Sequence, residues 1–195
     1  MNKVIQTGSY GLCLFSLEVL QDFVKREKIK SKKLLANFQK NPDRYLSTLK
    51  EGIWIPIVQI NSIEYIIKLS GYEQPFCNEW EKKIEHGSFN IEVKDGLWIT
   101  DIGHFLNFDK NELTGNEASY HTLDGETIYS GHKYDVPPGK YLVSIECFVR
   151  KELLEYPNLN YGFSFYLTKT DEFDGYNNPR EDELYSFNVA NMQTR

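Results

Sequence analysis

The sequence predicts an α+β fold in which an N-terminal helical segment packs with an antiparallel, β-sandwich-like or strongly bent sheet. Apolar residues recur at helical spacing before Gly52 and mainly at alternate positions after it. The chain has 195 residues, 41% of them hydrophobic and 14% aromatic, which is enough to bury a core without disulfides. We therefore expect a helical segment at 1–51 and a β-rich region at 52–195, together forming one compact unit.

Three short helices are predicted in the N-terminal segment, after an extended stretch at 10–15. Ser16 is a candidate N-cap for the first helix, and Ser31 precedes the second. The third begins at Asn41-Pro42-Asp43, which supplies a cap, a first-turn proline and a first-turn acid. The apolar positions of these helices are Leu17, Leu20, Phe23, Val24, Leu34, Leu35, Phe38, Tyr45, Leu46 and Leu49.

Two hairpins are predicted after Gly52. Residues 53–60 and 63–69 flank a short polar turn, and Pro56 indicates an edge strand or a bulge. Asp95-Gly96 joins 88–94 to 97–102 and is a strong type I′ turn signal. The two-residue turn places one set of apolar residues on a common face: Phe89, Ile91, Val93, Trp98 and Ile102.

Three further strands are predicted at 140–150, 162–168 and 183–190. The first alternates most cleanly, with Cys147 among its inward-facing residues. Between the strands, 105–127 and 171–182 are polar, glycine-containing stretches without periodicity. Long irregular stretches of this kind are typical of functional or mobile loops.

The charge is divided between the two parts of the chain. Residues 1–50 carry ten Lys or Arg against four Asp or Glu, whereas 51–195 carry twelve against twenty-four. Six of the basic residues lie within 25–33, where no aromatic residue is interleaved to stack on a base. Nucleic acid is therefore an improbable partner, and we expect part of this basic run to face carboxylates of the β-rich region or of a second copy.

Three histidines each stand three residues from an aspartate, and these are the candidate catalytic residues. The pairs are Asp101 with His104, His121 with Asp124, and His132 with Asp135. Two converging pairs could bind a divalent metal, and a single pair could hold an imidazole as a general base. A metal-assisted hydrolase is therefore one alternative, although no complete metal or nucleophile motif is present.

The sequence contains no recognisable cofactor motif. Residues 171–178 are acidic but lack the alternating ligands of a calcium loop, and the glycines form no nucleotide-binding pattern. The odd number of cysteines forms no paired motif and favours a reducing compartment. No stretch reaches 18 uninterrupted apolar residues, so we expect no membrane span and a cytoplasmic location.

An acidic, aromatic surface near the C-terminus favours a non-enzymatic protein-binding module. Carboxylates would steer a basic partner, and tyrosines would supply buried anchors. The candidate partner-binding residues are Asp171, Glu172, Asp174, Tyr176, Glu181, Asp182 and Tyr185. In size, acidity and aromatic content the chain resembles small cytoplasmic immunity proteins that neutralise bacterial toxins. That resemblance implies an inhibitor of a basic protein partner.

The sequence is compatible with two further properties. Carbohydrate binding on a β-sandwich is a further alternative if the chain exposes tryptophans, of which it has Trp54, Trp80 and Trp98. Trp98, however, falls on the apolar face of its predicted hairpin. Homo-oligomerisation is also compatible with the divided charge, because the basic and acidic parts of two copies would attract each other.

Overall fold

A computed structural model describes residues 2–181 and 183–192. The described part contains three α-helices, α1 Leu17–Arg26, α2 Leu34–Lys40 and α3 Pro42–Lys50. Its ten strands are β1 Lys3–Gln6, β2 Gly11–Phe15, β3 Trp54–Val58, β4 Glu64–Leu69, β5 Trp80–Val93, β6 Leu97–Asp101, β7 Glu117–His121, β8 Thr127–Tyr134, β9 Gly139–Arg150 and β10 Tyr161–Thr170. Short 3₁₀ helices span Ile102–Phe105, Lys110–Leu113 and Val189–Asn191.

The strands form two five-stranded sheets that face each other. The outer sheet has the order β1-β4-β10-β9-β5 and is antiparallel except where β4 pairs with β10. The middle sheet has the order β3-β2-β6-β8-β7 and is antiparallel throughout. One apolar core receives side chains from both sheets. The predicted α+β class with sandwich-like sheet packing is therefore confirmed.

The central strands of the middle sheet are buried on both faces, because the helices cover the side that the outer sheet leaves open. Every residue of β2 and of β6 is buried. Along β2, Leu12 and Leu14 enter the core between the sheets, whereas Cys13 and Phe15 enter a second core against the helices. The molecule thus has three layers: outer sheet, middle sheet and helices.

Aromatic rings dominate the core beneath the helices. The Trp54 ring stacks on the Phe105 ring with centroids 4.8 Å apart, and the centroid of the Phe38 ring lies 5.2 Å from that of Trp54. Its indole N–H donates to Thr48 Oγ1 at 2.8 Å. The predicted apolar positions of the helices all belong to this core, either buried or packed against it.

Both predicted hairpins are wrong in their pairing, although both turns exist. β3 belongs to the middle sheet and β4 to the outer one, and β5 and β6 are divided in the same way. Each turn therefore carries the chain from one sheet to the other. As a result Phe89 and Val93 enter the core between the sheets, whereas Trp98 enters the core beneath the helices.

The Asp95 turn also holds the start of α1. Ser16 Oγ donates to Asp95 Oδ1 at 2.6 Å and accepts from the backbone N–H of Lys94 at 3.0 Å. The same carboxylate accepts from the backbone N–H of Glu18 at 3.1 Å, which is one of the free donors of the first helical turn. Asp95 thus caps the helix from a distant part of the sequence, and Ser16 positions that cap.

The remaining strand predictions are confirmed except the last. β9 buries alternate residues along its length, as expected, and β10 pairs with it. Residues 183–190 form no strand among the described residues, yet Phe187 and Val189 are buried in the core between the sheets. The alternation of apolar residues in this segment therefore reflects burial of their side chains and not backbone pairing in a sheet. Pro56 lies in β3, an edge strand, as predicted.

The residues ahead of α1 supply a strand to each sheet, which the sequence pattern does not predict for β1. β1 pairs with β4 in the outer sheet, and β2 pairs with β3 and β6 in the middle sheet. The helical segment and the β-rich region thus share their cores. Across 2–181 and 183–192, no helix is long and apolar enough to cross a membrane.

Replacing Trp54 tests the core beneath the helices. We expect Trp54→Ala to lower the free energy of unfolding by about 3–5 kcal/mol, because it opens a cavity among packed rings and removes the indole donor to Thr48 Oγ1. Denaturant unfolding of the purified protein measures this. Trp80→Ala is the control, since Trp80 belongs to neither core cluster and packs on Phe76 and Arg150. A loss no larger than that of the control would contradict the assignment.

Asp95 predicts an acid-dependent loss of stability. Partial burial raises the pKa of its carboxyl, but hydrogen bonds from Ser16 and the Glu18 N–H, with the charge of Lys133, outweigh burial and lower it. A lowered pKa contributes stability that is present above the unfolded value of about 3.9 and is lost as the pH falls through the folded value. Asp95→Asn should therefore be less stable than wild type at pH 7.

The difference in unfolding free energy between wild type and Asp95→Asn should shrink as the pH falls below about 4. Denaturant titrations between pH 7 and pH 2.5 measure it. Asp43→Asn, on the exposed first turn of α3, is the control for removing one negative charge. A difference that stayed constant with pH would show that the Asp95 carboxylate does not hold the helix through its charge.

Candidate functional site

The C-terminal segment crosses the open edge of β5 and the end of α3. We call residues 171–192 the acidic strap. Asn177 Nδ2 donates to the carbonyls of Gly87 at 3.1 Å and Ser88 at 3.2 Å, both in β5. Asn178 Oδ1 accepts from the Tyr45 hydroxyl of α3 at 2.6 Å. The strap therefore covers part of an edge strand and joins the outer sheet to the helices.

Aromatic residues anchor the second half of the strap. The Tyr185 ring lies edge-on to His86 at 5.1 Å and to Phe89 at 5.2 Å. Phe187 also packs on His86 and is buried. These contacts close one end of the core between the sheets, so the backbone that carries the acidic side chains is held at both ends.

The acidic side chains of the strap face solvent without cationic partners. None of the described ones has a Lys, Arg or His nitrogen within 4.0 Å among the described residues, whereas Asp22, Glu51 and Glu79 elsewhere are paired. The exposed, unpaired acids are Asp171, Glu172, Asp174, Glu181 and Glu183. Their charge is therefore available to an external partner.

The neighbouring cations contact aromatic rings instead. Lys50 Nζ lies 5.2 Å from the centroid of the Tyr176 ring, and Lys140 Nζ lies 5.4 Å from that of Phe173. The Arg180 guanidinium lies over Tyr45 at 5.4 Å. These cations offset part of the negative potential but leave the carboxylate oxygens accessible.

A shallow cavity of about 350 Å³ lies where the strap meets β5. Glu172, Asp174 and Tyr176 line it from the strap, and Ser88 and Asn90 line it from β5. Ser88 has a φ of 64°, in the left-handed region, at the bulge between His86 and Phe89. This bulge redirects the strand beside the cavity.

Asn90 ties the three parts of the site together. It is buried, and its Nδ2 donates to the carbonyl of Gly175 in the strap at 2.6 Å and to that of Lys50 at the end of α3 at 3.2 Å. The sequence pattern does not predict its role or that of Asn177. The available signal was an asparagine in the middle of a predicted strand, where this residue is uncommon unless its amide is used.

The predicted partner-binding residues are only partly brought together. Glu172, Asp174 and Tyr176 share the cavity, and Asp171 is exposed just before it. Glu181 is exposed further along the strap. Tyr185 is packed against the core and lines a second cavity of about 360 Å³ with His86 and Glu183. Asp182 lies outside the described residues.

Asp101 and His104, the first candidate catalytic pair, form hydrogen bonds with other groups and not with each other. The Asp101 carboxylate accepts from the backbone N–H groups of Gly8 at 2.6 Å and Gly103 at 2.7 Å, and so caps the 3₁₀ helix Ile102–Phe105. His104 instead places Nε2 3.0 Å from Ser130 Oγ and Nδ1 3.3 Å from Glu112 Oε2. Asp101 is therefore occupied by backbone donors.

His121 and Asp124 make separate local contacts in the β7–β8 hairpin. His121 Nδ1 lies 3.2 Å from Thr127 Oγ1, whereas the Asp124 carboxylate accepts from Thr122 Oγ1. Among the described residues, no hydrogen bond or ion pair joins the His121 and Asp124 side chains. This pair therefore has a structural arrangement typical of a hairpin turn.

His132 is buried and apart from Asp135. Its Nε2 lies 2.9 Å from the carbonyl of Val4, and burial lowers the pKa of the imidazole. Asp135 contributes its backbone carbonyl to the Tyr72 hydroxyl at 2.7 Å. Within the described ranges, no three His, Cys, Asp or Glu residues are grouped so as to hold a metal ion.

Other candidate residues from the sequence have structural positions. Trp54 and Trp98 are fully buried, and Trp80 is 8% exposed. Cys147 is buried as predicted, and desolvation raises the pKa of its thiol. Lys32 Nζ lies 3.0 Å from Asp109, which confirms that part of the basic run faces a carboxylate of the β-rich region.

No family model, curated protein or solved structure matches the chain. The cavity presents two carboxylates beside an aromatic ring, on a backbone held by asparagine side chains. Such a combination suits a cationic side chain, which gains charge-assisted hydrogen bonds and contact with the ring.

Removing the Asn90 amide should loosen the strap. We expect Asn90→Ala to cost about 1–3 kcal/mol in unfolding free energy, because two carbonyls lose their donor. Amide hydrogen exchange should also become faster within 172–177. Asn158→Ala is the matched control, since its side chain is exposed and bonds only to the nearby Glu155 carbonyl. Unchanged exchange in the strap would show that Asn90 does not hold it.

Proposed function

We propose that this protein is a non-enzymatic binding module whose acidic strap binds a basic protein partner. The observation that carries this proposal is the group of exposed carboxylates without cationic partners among the described residues, next to Tyr176 and the cavity on β5. Unpaired charge at the surface steers an oppositely charged protein and selects it from others. We propose an immunity-type or inhibitor-type role, in which binding neutralises the partner.

The charge distribution favours one orientation of encounter. The strap carries six acidic residues and one arginine within 171–183, whereas 25–33 on the helical side carries six basic residues. A positively charged partner is attracted to the first surface and repelled from the second. The partner should therefore approach the edge formed by β5, α3 and the strap.

The cavity supplies the short-range contact. A lysine or arginine of the partner can place its cationic group between the Glu172 and Asp174 carboxylates, while its aliphatic stem packs on Tyr176. Since Asn90 and Asn177 hold the strap, little ordering of the backbone has to accompany binding. Preorganisation of this kind raises affinity without additional contact area.

The cytoplasm is the location that we propose with this function. Cys13, Cys77 and Cys147 are all free, and Cys77 is exposed. Free thiols are typical of proteins from reducing compartments.

Carbohydrate binding is a second candidate because of a different cavity. A cavity of about 360 Å³ is lined by Tyr156, Gln6, Glu64 and Asn158, and the Tyr156 ring is 90% exposed. An exposed ring beside amide and carboxylate groups can stack on a sugar and bind its hydroxyls. Saturation-transfer NMR with a panel of oligosaccharides tests it, and Tyr156→Ala should abolish any signal found.

Charge reversal in the strap tests the main proposal. We expect Glu172→Lys/Asp174→Lys to lose capture of the partner in pull-downs from the cells that produce this protein, because the cationic contact becomes repulsive. Wild-type capture should also weaken as the salt concentration rises. Tyr176→Ala should weaken affinity for the captured protein by about tenfold or more, as expected for a buried anchor.

The matched control reverses the same amount of charge elsewhere. Glu152→Lys/Glu155→Lys changes two exposed acids of the β9–β10 loop and should keep the partner. Quantitative mass spectrometry of the captured proteins compares the variants. The proposal fails if every captured protein is retained equally by both double variants, or if capture does not depend on salt.

A further inference from the structure

The β7–β8 hairpin carries a free sheet edge and a group of exposed apolar side chains. β7 is the last strand of the middle sheet and pairs only with β8 in the described structure. All of its residues except Ala118 are exposed. Tyr120 is 54% exposed, Leu123 at the turn is fully exposed, and Tyr129 on β8 is also exposed. An unpaired edge beside apolar surface is a template for pairing with another strand.

The hydrogen bonds at the two ends of the hairpin show which backbone groups point outward. The Thr122 N–H donates to the Glu126 carbonyl at 2.9 Å, and the Lys133 N–H donates to the Asn116 carbonyl at 2.8 Å. The register shift between Ala118 and Ser119 leaves its extra residue, Ser130, on β8, so the alternation along β7 is unbroken and Ala118 and Tyr120 also face β8. Glu117, Ser119 and His121 therefore direct their N–H and C=O groups away from the sheet.

These outward groups match their own copies in one antiparallel register. If Ser119 lies on a two-fold axis, it pairs with Ser119 of a second copy, and Glu117 pairs with His121 of that copy at both ends. The pairing uses the outward N–H and C=O groups of all three residues and spans the whole of β7. Shifting the register by two residues would lose one of these pairs and would separate Glu117 from His121.

Hydrogen-bond complementarity between side chains supports the same register. His121 Nδ1 is engaged by Thr127 Oγ1 at 3.2 Å, which leaves Nε2 for a carboxylate of the second copy. Glu117 Oε1 lies 3.6 Å from the buried Nδ1 of His132, and its second oxygen remains available. An imidazole nitrogen directly across from a carboxylate can hydrogen-bond to it between the two strands, whereas two carboxylates across from each other weaken the pairing.

We propose that a second copy of this chain docks on the free edge of β7, so that the two middle sheets join into one ten-stranded antiparallel sheet. This inference goes beyond the proposed function, because the acidic strap lies across β5 and α3 and makes none of these contacts. The dimer would therefore leave both straps exposed. Five residues per copy form a small interface, so the dimer should exist in a concentration-dependent equilibrium with the monomer.

An exchange of Glu117 and His121 tests the register. Glu117→His places imidazoles opposite imidazoles, and His121→Glu places carboxylates opposite carboxylates. We expect each single variant to raise the dissociation constant of the dimer about three- to tenfold. The double variant Glu117→His/His121→Glu should return it to the wild-type value. Sedimentation velocity over a concentration series measures the constant, and melting temperatures show whether each variant is folded.

Disulfide trapping tests the same contact independently of charge. In a Cys77→Ser background, Ser119→Cys should form a disulfide-linked dimer on mild oxidation, because the paired Cα atoms would lie about 5.5 Å apart. Ser31→Cys, exposed between α1 and α2, is the control and should give little dimer. A wild-type protein that sediments as a monomer at every concentration, a double variant as weak as the single ones, or equal trapping at Ser31 would overturn the proposal.

Discussion

The burial of the central strands of the middle sheet on both faces is the constraint on which the rest of the structure depends. These strands, β2 and β6, have no face turned to solvent, so even their polar residues need internal partners. Thr100 lies 3.2 Å from the Cys13 sulfur, and Asp101 accepts from two glycine N–H groups. Without the helices, Trp54 and Trp98 would be exposed to solvent. The helices are therefore a necessary part of the second core.

The same constraint determines the path of the chain between layers. Since two sheets must face each other, the turns after β3 and β5 lead across the core instead of back along the same sheet. Asp95 illustrates the result: this residue of a typical hairpin turn bonds to Ser16, 79 positions earlier in the chain, and caps the helix that follows Ser16. A local turn signal therefore identifies a reversal of direction, whereas the partner strand depends on the layer that each strand joins.

The layered arrangement separates two surfaces with different chemistry. The acidic strap closes the edge at β5 and displays carboxylates held by Asn90 and Asn177. The β7 edge of the middle sheet instead displays backbone groups and tyrosines. A charged surface selects a partner by its electrostatic potential, and an open strand edge selects one by backbone pairing. The two proposed interactions can therefore occur on the same molecule at once.

The approximate positions of the helices, the alternating burial of β9 and the division of charge can be predicted from the sequence, because each depends on neighbouring residues and local spacing. The acidic, aromatic composition near the C-terminus likewise predicts that Glu172, Asp174 and Tyr176 belong to one surface. The pairing of the strands, the separation of His132 from Asp135 and the role of Asn90 become evident only in the folded chain. These features depend on contacts between residues that are distant in the chain. The periodicity of hydrophobic residues indicates that a side chain is buried, but it does not identify the residues that the side chain contacts.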